Sequence, residues 1–130
     1  TRLKMTLLND KVTPPEYATE GSAAMDLVAQ SDEYLYPGQT MMFAMGFALR
    51  MPLGTCAIIA SRSGLGSNGI VVRQGIDIID SDYHREIHVP LYNSCIEGPS
   101  YFVAKGDRIA QMFFQKFEIP DIEVQVGAFG

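Results

Sequence analysis

The chain has 130 residues, of which 47% are hydrophobic and 19% are charged, a balance typical of one folded domain rather than of a disordered segment. Its net charge of −5 argues against a nucleic-acid-binding surface, which needs clustered Lys and Arg. No apolar run approaches the roughly 20 residues of a membrane-spanning helix, and residues 1–5 lack the features of a secretory signal. We therefore expect a single domain over 1–130 that acts inside the cell, in the cytoplasm or a nucleus, without binding nucleic acid or a membrane.

Turn-forming clusters of Gly, Pro, Asn and Asp recur along the chain and separate short runs of apolar residues, which predicts many short strands. Apolar residues alternate from Phe43 to Leu49, and we interpret them as one strand. The fully apolar segment 57–60 predicts a strand buried on both faces. The glycine-rich segment 62–68 is the best helix candidate, and it allows at most a turn or two.

The second half of the chain continues this pattern. Apolar residues alternate from Ile87 to Leu91, and Pro90 among them indicates an edge strand or a bulge, because proline cannot donate to a strand ladder. Further alternation from Ile122 to Val126 predicts a last strand, and the segment 124–130, which ends rich in glycine, is a candidate mobile C-terminal segment. Together these segments predict an all-β fold, a sandwich or barrel of the jelly-roll kind.

Four short strings carry polar side chains that point to chemistry. In the first, 23–27, Asp26 lies between apolar residues, either as a turn-forming Asp or as a carboxylate that orients the water shell of Mg²⁺. In the second, 61–66, Arg62, Ser63 and Gly64 offer a guanidinium fork, a hydroxyl and accessible backbone amides, which suit phosphate oxygens. The alternative for this string is a polar surface turn.

The third and fourth strings lie further along the chain. Asp80 follows two isoleucines, so partial burial would suit it to act as a general base. Tyr83 offers a flat face and a hydroxyl for packing on a sugar; the alternative is an acidic hairpin loop with solvated carboxylates. In the fourth string, 106–114, Asp107 and Arg108 are expected to pair and fix a corner. Gln111 stands in an apolar run, so its amide needs a hydrogen-bond partner from the protein or a ligand.

In this order, the strings Ala-Met-Asp-Leu, Arg-Ser-Gly-Leu, Ile-Asp-Ser-Asp-Tyr and Gly-Asp-Arg-Ile-Ala-Gln resemble the motifs of the trimeric dUTPase family. The match runs over about 21–111, and 127–130 resemble the core of a fifth, glycine-rich motif. The resemblance implies a jelly-roll subunit and a homotrimer with active sites shared between subunits. It also implies Mg²⁺-assisted hydrolysis of dUTP to dUMP and pyrophosphate by water attack on the α-phosphorus, which limits uracil in DNA and supplies dUMP.

The resemblance further implies roles on the nucleoside side of the substrate. Asp80 would be the base that activates the water, and Tyr83 would lie under the deoxyribose. Phe129 would stack over the uracil. The uracil edge would be read, largely through backbone groups, by the hairpin residues Gln74, Gly75, Ile76, Ile78 and Ile79.

On the phosphate side, the resemblance assigns a second group of residues. Arg62, Ser63 and Gly64 would hold the phosphates, with Gln111 helping. Asp26 would bind the metal ion through water.

Several positions depart from the family pattern. Ser61 replaces a proline before Arg62, Asp77 replaces a glycine in the uracil hairpin, and Arg85 replaces a glycine at a tight turn. These changes leave open a dUTPase-like protein with weakened catalysis that acts by binding other proteins, although the retained motif residues count against it. Deamination of dCTP, a related activity of the same fold, is disfavoured because Pro90 stands where that family has its glutamate.

Overall fold

The computed structural model describes residues 2–128, so the expected role of Phe129 lies outside the described residues. Strands dominate this part of the chain and the helix is short, which confirms the prediction of an all-β fold. The elements are β1 (Lys4–Leu7), β2 (Glu16–Tyr17), β3 (Met25–Val28), β4 (Glu33–Leu35), β5 (Thr40–Ala44), β6 (Phe47–Arg50), β7 (Thr55–Ala60), α1 (Ser63–Ser67), β8 (Ile70–Val72), β9 (Ile76–Ile79), β10 (His88–Asn93), β11 (Tyr101–Val103) and β12 (Arg108–Lys116). Within the described range, no helix is long and apolar enough to cross a membrane.

The strands form antiparallel sheets that enclose one hydrophobic core. A five-stranded sheet has the order β2-β3-β12-β7-β9, and a three-stranded sheet has the order β5-β10-β8. The pairs β1-β6 and β11-β4 form two further small sheets. Core side chains that are at most 1% exposed come from both larger sheets and from the strands around them: Leu27, Leu35, Phe47, Ile59, Leu91, Ile109 and Met112.

The apolar segment 57–60 forms part of the strand β7, as expected, but only one of its two faces is fully buried. It lies between β12 and β9 in the five-stranded sheet, and Ala57 and Ile59 are fully buried. Ile58 and Ala60 on the other face are partly covered, so apolar residues are favoured on both faces and the sequence does not alternate. The helix α1 is five residues long, as short as the glycines at 64 and 66 predict.

The residues from Phe43 to Leu49 form two strands rather than the single strand expected. Gly46 adopts a positive φ of 76° between β5 and β6, and its N–H donates to Glu86 Oε2 at 2.9 Å. Its backbone therefore turns the chain from one sheet to another, while the alternating residues on both sides remain in the core. Periodicity alone could not show this break, because the apolar spacing continues through it.

Pro90 lies in β10, the central strand of the three-stranded sheet, so the prediction of an edge strand is wrong. The ladder between β8 and β10 covers only Leu91 to Asn93 on the β10 side. The carbonyl of Pro90 points to that side, where it accepts a hydrogen bond from Arg73 N–H at 2.8 Å. Because the nitrogen of a strand residue points to the same side as its carbonyl, the missing N–H of Pro90 falls just beyond the end of the ladder.

The predicted strand from Ile122 to Val126 does not form in this chain. Residues 117–127 lie outside the strands, and the side chains of Ile122, Val124 and Val126 are 72%, 87% and 104% exposed. An alternating segment becomes a strand only where a neighbouring strand supplies hydrogen bonds. The described part of this chain pairs no strand with it.

Candidate active site

A cleft opens where β3, β12 and the end of β7 lie side by side. The strand register places Gln111 of β12 opposite Asp26 of β3 on one side and opposite Ala60 of β7 on the other. Because directly opposed residues share a face of a sheet, the polar side chains of Asp26 and Gln111 project together. The cleft encloses about 420 Å³ and is lined by Asp26, Ser61, Arg62, Ser63, Gly66 and Gln111.

Two arginines flank the carboxylate of Asp26. Arg62 Nε donates to Asp26 Oδ1 at 3.0 Å, and the two side chains are only 26% and 20% exposed. Arg108 Nη1 lies 4.0 Å from Asp26 Oδ2, and its side chain is 59% exposed. Two guanidinium groups against one carboxylate leave an excess of positive charge, which suits a polyanionic ligand although the whole chain is acidic.

Arg108 is a site residue that sequence reasoning placed wrongly. The expected pairing of Asp107 with Arg108 is not found, because Asp107 Oδ2 instead accepts the N–H of Ala104 at 2.9 Å. Asp107 thus closes the turn before β12 through the backbone, and Arg108 is free to approach Asp26. The approach of Arg108 to Asp26 depends on how β3 pairs with β12, and the sequence alone does not show this pairing.

The predicted need of Gln111 for a hydrogen-bond partner is met within the protein. Its Nε2 donates to the carbonyl of Ser61 at 2.9 Å, so the amide is held across the cleft. Ser61 Oγ in turn accepts the N–H of Val72 at 2.8 Å, which ties the end of β7 to β8. Ser61 therefore belongs to the support of the site, although the sequence marked it only as a departure from a proline.

Ser63 and Gly64 form the exposed first turn of α1. The first hydrogen bond inside this helix runs from Gly66 N–H to Arg62 C=O at 2.9 Å, so the amides of residues 63–65 have no partner within it. A side-chain carbon added at Gly64 would meet no atom within 4 Å. A larger cavity of about 580 Å³ adjoins this turn, and Arg62 and Gly64 are among its lining residues.

The hairpin of β8 and β9 carries the second group of predicted residues. Gly75 adopts a φ of 90° at the turn, which favours glycine. Gln74 is exposed, and Ile76 and Ile78 on one face of β9 are 49% and 58% exposed, whereas Ile79 is buried. The chain thus presents the tip and one face of the hairpin to solvent.

Asp80 and Tyr83 follow the hairpin. Asp80 is exposed in this chain, so the expected partial burial is wrong for the single subunit. Tyr83 is 38% exposed; its hydroxyl donates to the carbonyl of Glu86 at 3.0 Å, and its N–H donates to the carbonyl of Asp80 at 3.1 Å. The backbone bond closes a turn from Asp80 to Tyr83, and the hydroxyl bond fixes the ring against the backbone at Glu86.

Asp77 is the carboxylate that stands within the hairpin itself. It lies on β9 opposite Ile59 of β7 and is half-buried. Burial raises the pKa of the Asp77 carboxyl above its ordinary value of 3.8, and a hydrogen bond with the Gln74 side chain partly offsets this. Asp77 therefore places a partly desolvated carboxyl on β9, close to the turn at Gly75.

The structure joins the predicted residues into two separate groups. In the first group, Arg62 pairs with Asp26, and Gln111 bonds to the carbonyl of Ser61, the residue before Arg62. Across residues 2–128, no side-chain hydrogen bond or ion pair links this cleft to Asp80, and the residues that line the cleft do not include the hairpin. In a single chain, Asp80 thus lies outside the phosphate-type cleft, although Ser61 of the cleft bonds to Val72 at the base of the hairpin.

Comparison with known proteins assigns the family. A family model described as dUTPase matches residues 10–127. The chain belongs to the dUTPase family. This confirms the resemblance carried by the four sequence strings.

Relatives named deoxyuridine 5'-triphosphate nucleotidohydrolase are similar over most of the chain. The protein of Corynebacterium glutamicum is 37% identical over 122 residues, which cover 93% of this chain and 81% of the relative. The protein of Desulfitobacterium hafniense is 45% identical over 105 residues, which cover 77% of this chain and 68% of the relative.

Solved dUTPase structures share the fold. The dUTPase from phage phi11 of Staphylococcus aureus has a TM-score of 0.88 at 22% identity, with 99% of this chain and 98% of that chain covered. The dUTPase of Staphylococcus bacteriophage 80alpha has a TM-score of 0.85 at 22% identity, with the same coverage. A variant of the phi11 protein coordinates a structural Mg(II) ion, and a variant of the 80alpha protein is known with dUpNHpp.

Proposed function

We propose that this chain hydrolyses dUTP to dUMP and pyrophosphate. The observation that carries the proposal is the cleft in which Arg62, Ser63, Gln111 and the carboxylate of Asp26 converge in a member of the dUTPase family. Arg108 approaches the same carboxylate from beside the cleft. The relatives from Corynebacterium glutamicum and Desulfitobacterium hafniense carry the name of this activity.

The cleft supports binding of the triphosphate. The Arg62 guanidinium meets Asp26 through Nε, so its terminal nitrogens remain for phosphate oxygens. Ser63 and Gly64 add a hydroxyl and exposed backbone amides beside it. Because Arg62 and Gln111 are already fixed by protein contacts, these donors need little reorganisation when negative charge develops on the phosphates.

The acidic side of the cleft fits a hydrated Mg²⁺ rather than a fully ligated one. Among residues 2–128, no group of three or more His, Cys, Asp and Glu side chains could enclose a metal ion. Mg²⁺ often keeps several waters and binds through one or two carboxylates plus substrate phosphates. We propose that Asp26 binds its water shell, where the ion would neutralise phosphate charge.

We propose that Asp80 takes the proton from the attacking water. The water oxygen bonds to the α-phosphorus, and the bond from that phosphorus to the bridging oxygen breaks to release pyrophosphate. Tyr83 would pack under the deoxyribose, and the hairpin residues Gln74, Gly75, Ile76, Ile78 and Ile79 would read the uracil edge. Exposure of Asp80, Tyr83 and the hairpin tip supports this, because all are accessible to a ligand.

We propose that the working form is a homotrimer, in which the cleft of one subunit meets the hairpin of another. The position of Asp80 and Tyr83 outside the cleft of the same chain supports this proposal. The exposed apolar residues Ile122, Val124 and Val126 support it as well, since large exposed apolar surfaces mark interaction sites. Residues 124–130, with Phe129, would then close over the uracil as a mobile segment of a single domain over 1–130.

This activity defines the proposed setting of the protein. Hydrolysis of dUTP limits the incorporation of uracil into DNA and supplies dUMP, so we propose that the protein acts inside the cell, where that nucleotide is formed. Its substrate is then a free nucleotide rather than a nucleic acid, in agreement with the net charge of −5.

The test measures pyrophosphate release from dUTP, dCTP, dTTP and UTP, with and without Mg²⁺. We expect Mg²⁺-dependent turnover of dUTP, with the other nucleotides far slower. Asp80→Asn should lower kcat by at least about 100-fold, the lower range for loss of a general base. Asp82→Asn serves as the matched control, because Asp82 is an exposed carboxylate two residues away.

Turnover of dCTP as fast as that of dUTP would overturn the proposal that the site selects uracil as the nucleobase. Absence of turnover of all four nucleotides, in a folded sample, would favour a dUTPase-like protein that acts by binding other proteins. Normal activity of Asp80→Asn would remove Asp80 from its proposed role and leave the overall activity standing.

A further inference from the structure

The two arms of the β8–β9 hairpin belong to different sheets. β8 pairs with β10 in the three-stranded sheet, and β9 pairs with β7 in the five-stranded sheet. In the described residues no ladder joins β8 to β9; the turn is closed by one backbone bond, from Gly75 N–H to Val72 C=O at 2.9 Å. An ordinary hairpin is positioned by the ladder between its strands, so other contacts must hold this turn.

Arg73 supplies contacts of this kind to β10. Its N–H donates to Pro90 C=O at 2.8 Å, and its guanidinium carbon lies 4.5 Å from the centre of the Tyr92 ring. Tyr92 is itself fixed, because it pairs with Thr40 of β5 and Val71 of β8 in the middle of the sheet. A cation over an aromatic face is attracted by the ring, so both the backbone and the side chain of Arg73 bind the turn to β10.

The guanidinium of Arg73 forms no ion pair with an acidic side chain among the described residues. The ion pairs found among residues 2–128 join Arg62 and Arg108 to Asp26, and none involves Arg73. The Tyr92 ring is therefore the group that directs this guanidinium. On the opposite side, the turn continues directly into β9, which pairs with β7 of the five-stranded sheet.

We propose that Arg73 and Tyr92 are positioning residues that hold the hairpin turn in the conformation that reads the base of the nucleotide. The inference rests on the proposed function, because it takes the turn at Gln74 and Gly75 as the base-reading element. A turn that is ordered before binding loses less entropy when the ligand arrives. Loss of the contact therefore weakens substrate binding, while the chemical step at the phosphorus, which Arg73 and Tyr92 do not touch, continues.

The test compares variants that remove the cation or the ring. Arg73→Met keeps an apolar chain of similar reach but no charge, and Tyr92→Leu removes the aromatic face. Each should raise the KM for dUTP by about 2- to 5-fold, the range expected for loss of a cation–π contact at an exposed site, with kcat nearly unchanged. Tyr92→Phe keeps the face and should behave as wild type, as should Arg50→Met, which removes an exposed arginine from β6.

A second measurement does not depend on the substrate. Hydrogen exchange of the amides of residues 74–76 should be faster in Arg73→Met than in wild type and unchanged in Tyr92→Phe. If wild-type protein fails to turn over dUTP, the proposed function fails, and the exchange rates alone decide whether the contact holds the turn. Unchanged KM and exchange in Arg73→Met, or equal damage from Tyr92→Phe and Tyr92→Leu, would overturn the inference.

Discussion

Among single residues, Asp77 is expected to make stability depend on pH. Burial raises the pKa of its carboxyl above the ordinary value of 3.8, so the folded chain binds the proton more tightly than the unfolded chain. The destabilising effect is therefore absent below the ordinary pKa, grows as the pH rises through the raised folded pKa, and persists above it. Asp77→Asn, which keeps an acceptor for Gln74 without a charge, should remove this effect.

Urea unfolding at several pH values measures that change. At pH 7 we expect Asp77→Asn to be more stable than wild type by less than about 1 kcal/mol, because solvent screens a half-exposed charge. The difference should disappear near about pH 3, where the wild-type carboxyl is protonated as well. Asp82→Asn, at an exposed carboxylate, is the control; the same pH dependence in both variants would contradict the role of burial.

Asp26 provides a second prediction at a single residue, concerning the metal. Asp26→Asn keeps an oxygen for the 3.0 Å contact with Arg62 Nε but removes the charge that attracts the hydrated ion. The Mg²⁺ concentration at half-maximal activity should rise by at least about tenfold, as for loss of an outer-sphere ligand. Glu16 lies directly opposite Asp26 on β2 and is exposed, so Glu16→Gln is a matched control that should leave the Mg²⁺ requirement unchanged.

Among the elements, the junction of β5 and β6 depends on Gly46. A side-chain carbon there would lie 2.6 Å from Val12 Cγ2, and the positive φ of 76° strains any L-residue. Gly46→Ala should therefore cost about 2–5 kcal/mol of unfolding free energy, from strain and overpacking together. Gly38 has a similar φ of 73° with no atom within 4 Å, so Gly38→Ala isolates the strain alone.

Chemical denaturation of both variants measures the two contributions. Adding Val12→Ala to Gly46→Ala should recover part of the lost stability, because it removes the methyl groups that the new carbon meets. Equal losses in Gly46→Ala and Gly38→Ala would show that the contact with Val12 contributes nothing.

The same junction shows what sequence can predict about elements. Phe43, Phe47 and Leu49, which alternate in the sequence, all lie in the core, since a period of two places alternate side chains on one face. It did not show that Gly46 divides them between two sheets, because a turn by one glycine preserves the period. Pro90 illustrates the same limit: its missing donor is tolerated in a central strand because the neighbouring ladder ends there.

The whole molecule determines how much of the site was predictable. Sequence strings identified Asp26, Arg62 and Gln111, and the strand register brings them together. The approach of Arg108 to Asp26 depends on pairing between segments far apart in the chain, which no local pattern encodes. The strand expected from Ile122 to Val126 is absent for a related reason: alternation supplies the pattern of a strand, but the described chain supplies no strand beside it.

The separation of the cleft from Asp80 allows a direct test of the proposed trimer. Arg62→Met disables the cleft and Asp80→Asn disables the hairpin, so each variant alone should be inactive. When equal amounts are unfolded together and refolded, a site that takes its cleft from one subunit and its Asp80 from another is intact in about a quarter of random combinations. Recovery of about a quarter of wild-type activity, in particles of three chains by light scattering, is therefore expected. Sites contained within one chain would recover none, because no chain in the mixture carries both residues.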